Sequence, residues 1–341
     1  MRLRPIPVCV SCLVVTAAAE PPPTPEPAPS AASQPASQPS SQPASSPSSQ
    51  QAGTDDLFKL GQQLFDQYAP PEVREQYAFP TKEQWDGFAV RLQHALDGNS
   101  LEELAALEPE ARAALAALRV LPGYEDYADW LGSRVDEIQA SRQALAQATP
   151  TIPRPPGVQP PGARPPNSGV PLYPLWLARV RDRPVPAGAA ALMPRLRAAF
   201  AAEGVPADLA WLAEAESTLN PSARSPAGAM GLFQLTPDTA RALGLRTFLP
   251  DERADPEKSA RAAAHYLRTL YARFGSWPLA LAAYNAGEGR VSRALASRGA
   301  TDFAGVASAL PAETRMYVPK VCALVAVRTG SALERLPPPR A

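Results

Sequence analysis

Leu57, Leu60, Leu64 and Phe65 recur on one face at helical spacing, and the same period returns in block after block toward the C-terminus. Thr81 followed by Lys82-Glu83-Gln84 reads as a helix N-cap, with Trp85, Phe88, Val90 and Leu92 behind it. The Ala/Leu-rich run LEELAALEPEARAALAALRVL predicts helix, and Pro109 opens a new one at its first turn. Tyr124, Tyr127, Leu131, Val135 and Ile138 then form a buried stripe. Ala187 to Ala202 predicts a further helix that Pro194 starts or kinks. Pro206 suits the first turn of the next, which turns Leu209, Leu212 and Ala213 inward. Thr236-Pro237-Asp238 and Asp255-Pro256-Glu257 repeat one start signal, with stops at Gly244 and Gly275. A helix from Trp277 ends in AAYNAG, and Pro311 begins the last, which carries Tyr317 and the apolar run Val321 to Val327. No segment of 169–330 alternates with the period of a strand, so the predicted class is all-α.

Composition divides the chain. Residues 1–19 pair Arg2 and Arg4 with an apolar run, Ile6 to Val15, too short to span a bilayer, and end in Ala17-Ala18-Ala19; they predict an export signal cleaved before Glu20. Cys12 leaves a lipid-anchored version open, and membrane attachment is expected only in that case. Residues 20–53 are Pro, Ser, Gln and Ala, with too little apolar bulk to offset ordering entropy, and predict a disordered tether. A helical module spans 54–149, a Pro-rich connector 150–168, a larger helical domain 169–330, and a Pro-rich tail 331–341. The formal net charge of zero hides an asymmetry: residues 54–150 hold 17 acidic and 8 basic side chains, and 151–341 hold 14 and 23. A basic half suits an anionic polymer, and the acidic half is complementary to it.

Cys9 and Cys12 fall in the signal, which leaves Cys322 alone on an apolar helix as a small core residue. His94 and His265, the only histidines, show no metal-ligand spacing and read as helix surface or core. No metal, nucleotide or nucleic-acid signal rises above background.

The chemistry concentrates in Leu212 to Gln234, LAEAESTLNPSARSPAGAMGLFQ. An amphipathic helix delivers Glu216 and Ser217 at its end, and Asn220-Pro221 stops it. Roofed by Met230, Leu232 and Phe233, a carboxyl there loses water, rises in pKa and suits general acid catalysis. Gly228 and Gly231 let backbone approach a ligand, and Ser225 and Gln234 offer hydrogen bonds that suit a sugar or acetamido group. Glu214, two residues from Glu216, points to another face. From spacing alone, an ordinary helix and loop with a surface Glu remains the alternative reading.

Glu216-Ser217, Ser225 nine residues after that Glu, and GAMGLFQLTPDTA resemble the first two motifs of the lytic transglycosylase domain with a goose-lysozyme-like fold. AAYNAGEGRV (Ala282 to Val291) resembles the third, and LPAETRMYVPKV (Leu310 to Val321) the fourth, nearest the membrane-bound transglycosylase D type. The resemblance covers roughly residues 195 to 328. It implies a lysozyme-like catalytic domain behind the smaller helical module. The implied reaction cleaves the β-1,4 bond between N-acetylmuramic acid and N-acetylglucosamine without water, leaving a 1,6-anhydro end. Glu216 matches the family's single acid and base, and Ser217 to Gln234 contains no second carboxylate for a two-carboxylate hydrolysis. The resemblance places Ser217, Ser225, Met230, Gly231, Phe233, Gln234, Tyr284, Asn285 and Tyr317 against substrate, with Glu313 part structural. Phe233 stands where Met is commoner.

No cofactor is implied. The implied partner is the peptidoglycan glycan strand, not nucleic acid, and the implied place is the periplasm or cell envelope after export. Oligomeric state stays open. D-type proteins often continue into LysM repeats, whereas this sequence reads LERLPPPRA, so wall affinity is expected from the groove, the module or the charge pattern. A lysozyme-type muramidase and a non-catalytic wall-binding protein are the alternatives; retention of Glu216, Gln234 and Tyr284 argues against the latter.

Overall fold

The computed structural model describes residues 81–120, 125–148 and 169–340, with a few isolated positions between 62 and 75. The expected export signal, the tether, Cys12, the face from Leu57 to Phe65, Tyr124 and the connector 150–168 lie outside the described residues.

A first unit comprises α1 (Lys82–Asp97), α2 (Leu101–Ala106), α3 (Glu108–Val120) and α4 (Glu125–Ala148). Ser100 caps α2 by accepting the Glu103 N–H at 3.1 Å. Leu92, Leu96, Leu104, Leu131 and Ile138 fill the space between these helices, with α2 and α3 packed on α4. The second unit runs α5 (Tyr173–Val180), α6 (Ala189–Ala202), a 3-10 turn (Ala207–Trp211), α7 (Leu212–Ser217), α8 (Pro237–Ala242), α9 (Pro256–Phe274), α10 (Trp277–Ala286), α11 (Glu288–Arg298), α12 (Phe303–Val306) and α13 (Ala312–Thr329). The described residues contain no strand, only isolated bridges from Met230 to Arg224 and to Leu235. The all-α expectation therefore holds.

The caps follow the sequence signals. Thr236 accepts the Thr239 N–H, Asp255 accepts those of Glu257 and Lys258, and Gly275 closes α9 in the left-handed region at φ 66°. Pro194 sits inside α6 rather than at its start. The predicted helix after Pro206 divides into the 3-10 turn and the short α7.

At the centre lies α13, buried almost all round from Met316 to Val325 and touched by α1, α4, α5, α7 and α10. Cys322 is buried on it, while His94 and His265 are exposed. Because α1 and α4 pack on α13, one hydrophobic core runs through both units. Charge complements that contact: Asp136 on α4 meets Arg179 at 2.6 Å and Arg183 at 2.8 Å, and Glu137 meets Lys320 at 3.1 Å. The acidic module thus docks on the basic half, as the charge asymmetry suggests. The C-terminal stretch folds back, with Leu333 buried and Trp277 Nε1 donating to the Pro337 carbonyl at 3.1 Å.

Candidate active site

Glu216 occupies the last turn of α7. The chain leaves that turn through Thr218 at φ 52° and Leu219 at φ 63°, both in the left-handed region that side chains with a Cβ disfavour. The Leu219 N–H reaches back to the Ala213 carbonyl, and Ser217 Oγ lies 3.0 Å from the carbonyl oxygens of both Ala213 and Leu232. Ser217 therefore joins the helix end to the following loop. Glu214 faces elsewhere, as expected, paired with Arg328 at 2.6 Å.

The loop from Asn220 to Leu235 is held by its own backbone and by one arginine. Asn220 Oδ1 accepts from Ser222, Ser225 Oγ accepts the Ala229 N–H, and the Gly231 N–H donates to Ala223. Arg253, from the turn before α9, donates to the carbonyls of Gly228 at 2.7 Å and Leu235 at 3.0 Å, while Asp251 holds its other edge. Gly231 has φ 81°, and a Cβ there would overlap the Arg253 carbonyl oxygen. The requirement for glycine thus comes from a close backbone approach within the protein.

An open cleft lined by residues of both units borders Glu216. Helix α7 supplies Ser217, the loop supplies Arg224, Ser225 and Gln234, and α10 supplies Tyr284 and Asn285. The opposite wall belongs to the first unit: Gln93, Asp126, Asp129, Trp130, Ser133 and Arg134. Gln234, at φ 45°, donates its amide nitrogen to the carbonyls of Gly231 and Ala223, which leaves the amide oxygen for a ligand donor.

Met230, Gly231, Phe233 and Tyr317 are not among the cleft-lining residues. Phe233 is fully buried with its ring 5.5 Å from that of Phe200, Leu232 is equally buried, and Met230 is nearly so. Met230, Leu232 and Phe233 therefore pack in the core and do not line the cleft. Tyr284 Oη donates to the Phe233 carbonyl at 2.8 Å rather than to the carboxyl.

Tyr317 is the hydroxyl that meets the acid, donating to Glu216 Oε1 at 2.5 Å. Burial pushes the Glu216 carboxyl up to about 7; the Tyr317 hydrogen bond, Arg134 and Lys320 pull it down, and Glu313 pushes it further up. Burial and the neighbouring Glu216 hold the Tyr317 hydroxyl well above its ordinary value, so it remains a donor. Glu313 on α13 also borders the cleft, but Arg134 binds it at 2.7 Å and the Asn285 amide at 3.4 Å. Thr314 in turn donates to Asn285 at 2.6 Å. The motif loop alone has one carboxylate, whereas the folded cleft adds Glu313, Asp126 and Asp129. Among the described residues no group of His, Cys, Asp and Glu has the arrangement to hold a metal ion, and no helix is long and apolar enough to cross a membrane.

Residues 196–306 match the family model of the Transglycosylase SLT domain. Within the matched stretch lie Glu216, the whole motif loop, Tyr284 and Asn285; Glu313 and Tyr317 follow it, and the Arg134 wall precedes it. The membrane-bound lytic murein transglycosylase D of Escherichia coli (strain K12) is 42% identical over 126 residues, which are 35% of this chain and 27% of that protein. The soluble lytic murein transglycosylase of Salmonella typhimurium is 39% identical over 120 residues, 33% of this chain and 19% of that protein. The match thus spans about a quarter or less of these relatives' length. The 70 kDa soluble lytic transglycosylase of Escherichia coli overlays 85% of this chain and 48% of its own at 18% identity and a TM-score of 0.39, too low for the overlay to bear on the site.

The matched stretch contains most of the residues singled out from the sequence, Tyr317 excepted. Arg134, Arg253 and the bond from Tyr317 to Glu216 are the features that sequence reasoning did not find. Tyr317 was in view as a motif residue, but its partner lies 101 positions away. For Arg253 the one available signal is the DERADP turn next to a predicted cap, and Arg134 carries no local signal at all.

Proposed function

We propose that this protein is a lytic transglycosylase that cleaves the glycan strands of peptidoglycan between N-acetylmuramic acid and N-acetylglucosamine. The observation that carries the reading is Glu216: a carboxyl in a cleft, hydrogen-bonded by Tyr317 and raised by burial to about 7, which exchanges a proton readily near neutrality. In the first step protonated Glu216 gives its proton to the glycosidic oxygen, and the bond from that oxygen to muramoyl C1 breaks. N-acetylglucosamine leaves as an alcohol. The Glu216 carboxylate then takes the proton of the muramoyl C6 hydroxyl as that oxygen bonds C1, closing the 1,6-anhydro ring. Glu216 ends protonated, and no water is consumed.

Ser225, Gln234, Tyr284 and Asn285 line the cleft and are proposed to hold the sugars, while Ser217 and Tyr317 orient the acid. Met230, Gly231 and Phe233 shape the loop from behind. Further support comes from the SLT domain match and from relatives named as lytic murein transglycosylases. Action on the cell wall places the protein, in this reading, in the periplasm or cell envelope.

The test is a digest of purified sacculi by the wild-type chain and by Glu216→Gln, with products read by mass spectrometry. Anhydro-muropeptides from the wild type alone are expected. Reducing-end products would make the protein a hydrolase and draw attention to Asp126, Asp129 and Glu313 as water-activating bases. No products, with sacculi still bound, would make it a wall-binding protein.

A further inference from the structure

The first helical unit reaches the cleft that holds the acid. Arg134 leaves α4 with a side chain only 12% exposed, and its Nη1 lies 2.8 Å from Glu137 on its own helix and 2.7 Å from Glu313 on α13. Its guanidinium also sits 5.9 Å from the Trp130 ring centroid, and both side chains border the cleft that Glu216 opens into. The Glu137 side chain is fully buried and accepts from Lys320 at 3.1 Å, so Arg134 is one corner of a buried network fixed at two helices.

We propose that Arg134 is a positioning residue of the acid-base site: it holds Glu313 in place and supplies the positive charge that Glu216 experiences from the first helical unit. The proposal rests on the reading of Glu216 as the proton donor.

The groups around Glu216 bound its consequences. From α13 come Tyr317, Glu313 and Lys320, from α10 Tyr284, and from α4 Arg134. Tyr317 and Lys320 share the work of favouring the ionised form, while Arg134 also pairs with Glu313, an anion that opposes it; Asp126 and Asp129 on α4 border the same cleft. Removing the Arg134 charge withdraws a direct attraction. It also lets Glu313 take up a proton, which partly offsets the loss. The direct effect is the larger of the two, so the net expectation is a Glu216 that holds its proton more tightly.

The experiment follows the ¹³C carboxyl signal of Glu216 against pH in the full chain, assigned by its disappearance in Glu216→Gln. Arg134→Gln keeps a hydrogen-bond donor and loses the charge. It should move the titration up by about 1 unit, in line with the loss of one nearby opposite charge. Arg134→Lys keeps the charge and should leave the midpoint where it is. Glu313→Gln removes the opposing anion and should move it down. A folded Arg134→Gln protein that titrates with the wild type overturns the proposal, as does Arg134→Lys shifting as far as Arg134→Gln. If Arg134→Gln does not fold, an unmoved midpoint in Glu313→Gln overturns it.

The alkaline limb of the pH–activity profile on sacculi should follow the same order, which a merely structural role would not produce. An active enzyme whose Glu216 ignores Arg134 removes this inference and leaves the reaction standing. A Glu216 that answers to Arg134 in a protein releasing no anhydro products does the reverse.

Discussion

Two walls face each other across the cleft, and they are built by different means. The motif loop, Asn220 to Leu235, is fixed by backbone: a glycine under a carbonyl, a hydroxyl shared between two carbonyls, and an arginine donating to two more. The first-unit wall stands on helices and offers side chains, Trp130, Ser133 and Arg134 on one face of α4. Backbone-built geometry tolerates few residues at each position, so it leaves a motif. A helix face accepts many residues and needs only the right one pointing the right way, so it leaves none.

The largest expected effect breaks the loop wall and spares the other. Gly231→Ala forces a Cβ against the Arg253 carbonyl at φ 81° and should cost about 3 to 5 kcal/mol or rebuild the loop, seen as a large fall in Tm and loss of activity. Gly132→Ala, on α4 of the opposite wall, meets nothing nearer than the Leu115 side chain at 3.9 Å. It should stabilise by about 0.5 to 1 kcal/mol through helix propensity. Equal outcomes for the two glycines would end the distinction between the walls.

That distinction also explains what the sequence discloses. Helix positions were legible because Thr236, Asp255 and Gly275 act locally, within a turn of the residues they cap. Glu216 was legible because the loop after it carries its constraints in order along the chain. Phe233 was less legible, because an apolar residue near a carboxylate in sequence looks the same whether it lines a cleft or packs in the core. Arg134 meets Glu313 across 179 positions, and Arg253 reaches Gly228 across 25, distances over which no local pattern constrains the partner.

The next contrast is of pH. Glu216 is raised from 4.5 to about 7, so its contribution to stability is full below pH 4.5 and is lost as pH rises through 7. Glu216→Gln escapes that loss and should exceed the wild type by up to about 3 kcal/mol at pH 8, with the gap closing toward pH 4.5. Asp136, at the contact between the units, has the opposite sign. Burial alone would raise its carboxyl, but Lys320, Arg179 and Arg183 overcome burial and hold it below 3.8. Its stabilisation is present above pH 3.8 and lost as pH falls through the lower folded value. Asp136→Asn should therefore cost about 2 kcal/mol at pH 7 and progressively less in acid. Denaturation midpoints from pH 3 to 8 read both; parallel curves would mean that neither carboxyl titrates as its surroundings dictate.

The smallest effect separates two tyrosines that the sequence places in similar motifs. Tyr317 donates to Glu216 and Tyr284 to the Phe233 carbonyl, so losing either hydroxyl removes one buried hydrogen bond. Their consequences differ because only one acceptor is a titrating group. Tyr317→Phe withdraws a bond that favours the ionised carboxyl, so Glu216 should hold its proton to higher pH and the alkaline limb of activity should move up. The carboxylate left behind in the second step loses its partner, and kcat should fall about 10-fold. Tyr284→Phe leaves a backbone carbonyl without its donor, a stability cost of about 1 kcal/mol with the limb in place. A limb that moves in Tyr284→Phe and stays fixed in Tyr317→Phe would exchange their roles, and with them the reason for placing the acid's hydrogen-bond partner on the buried helix α13 rather than on α10, beside the loop.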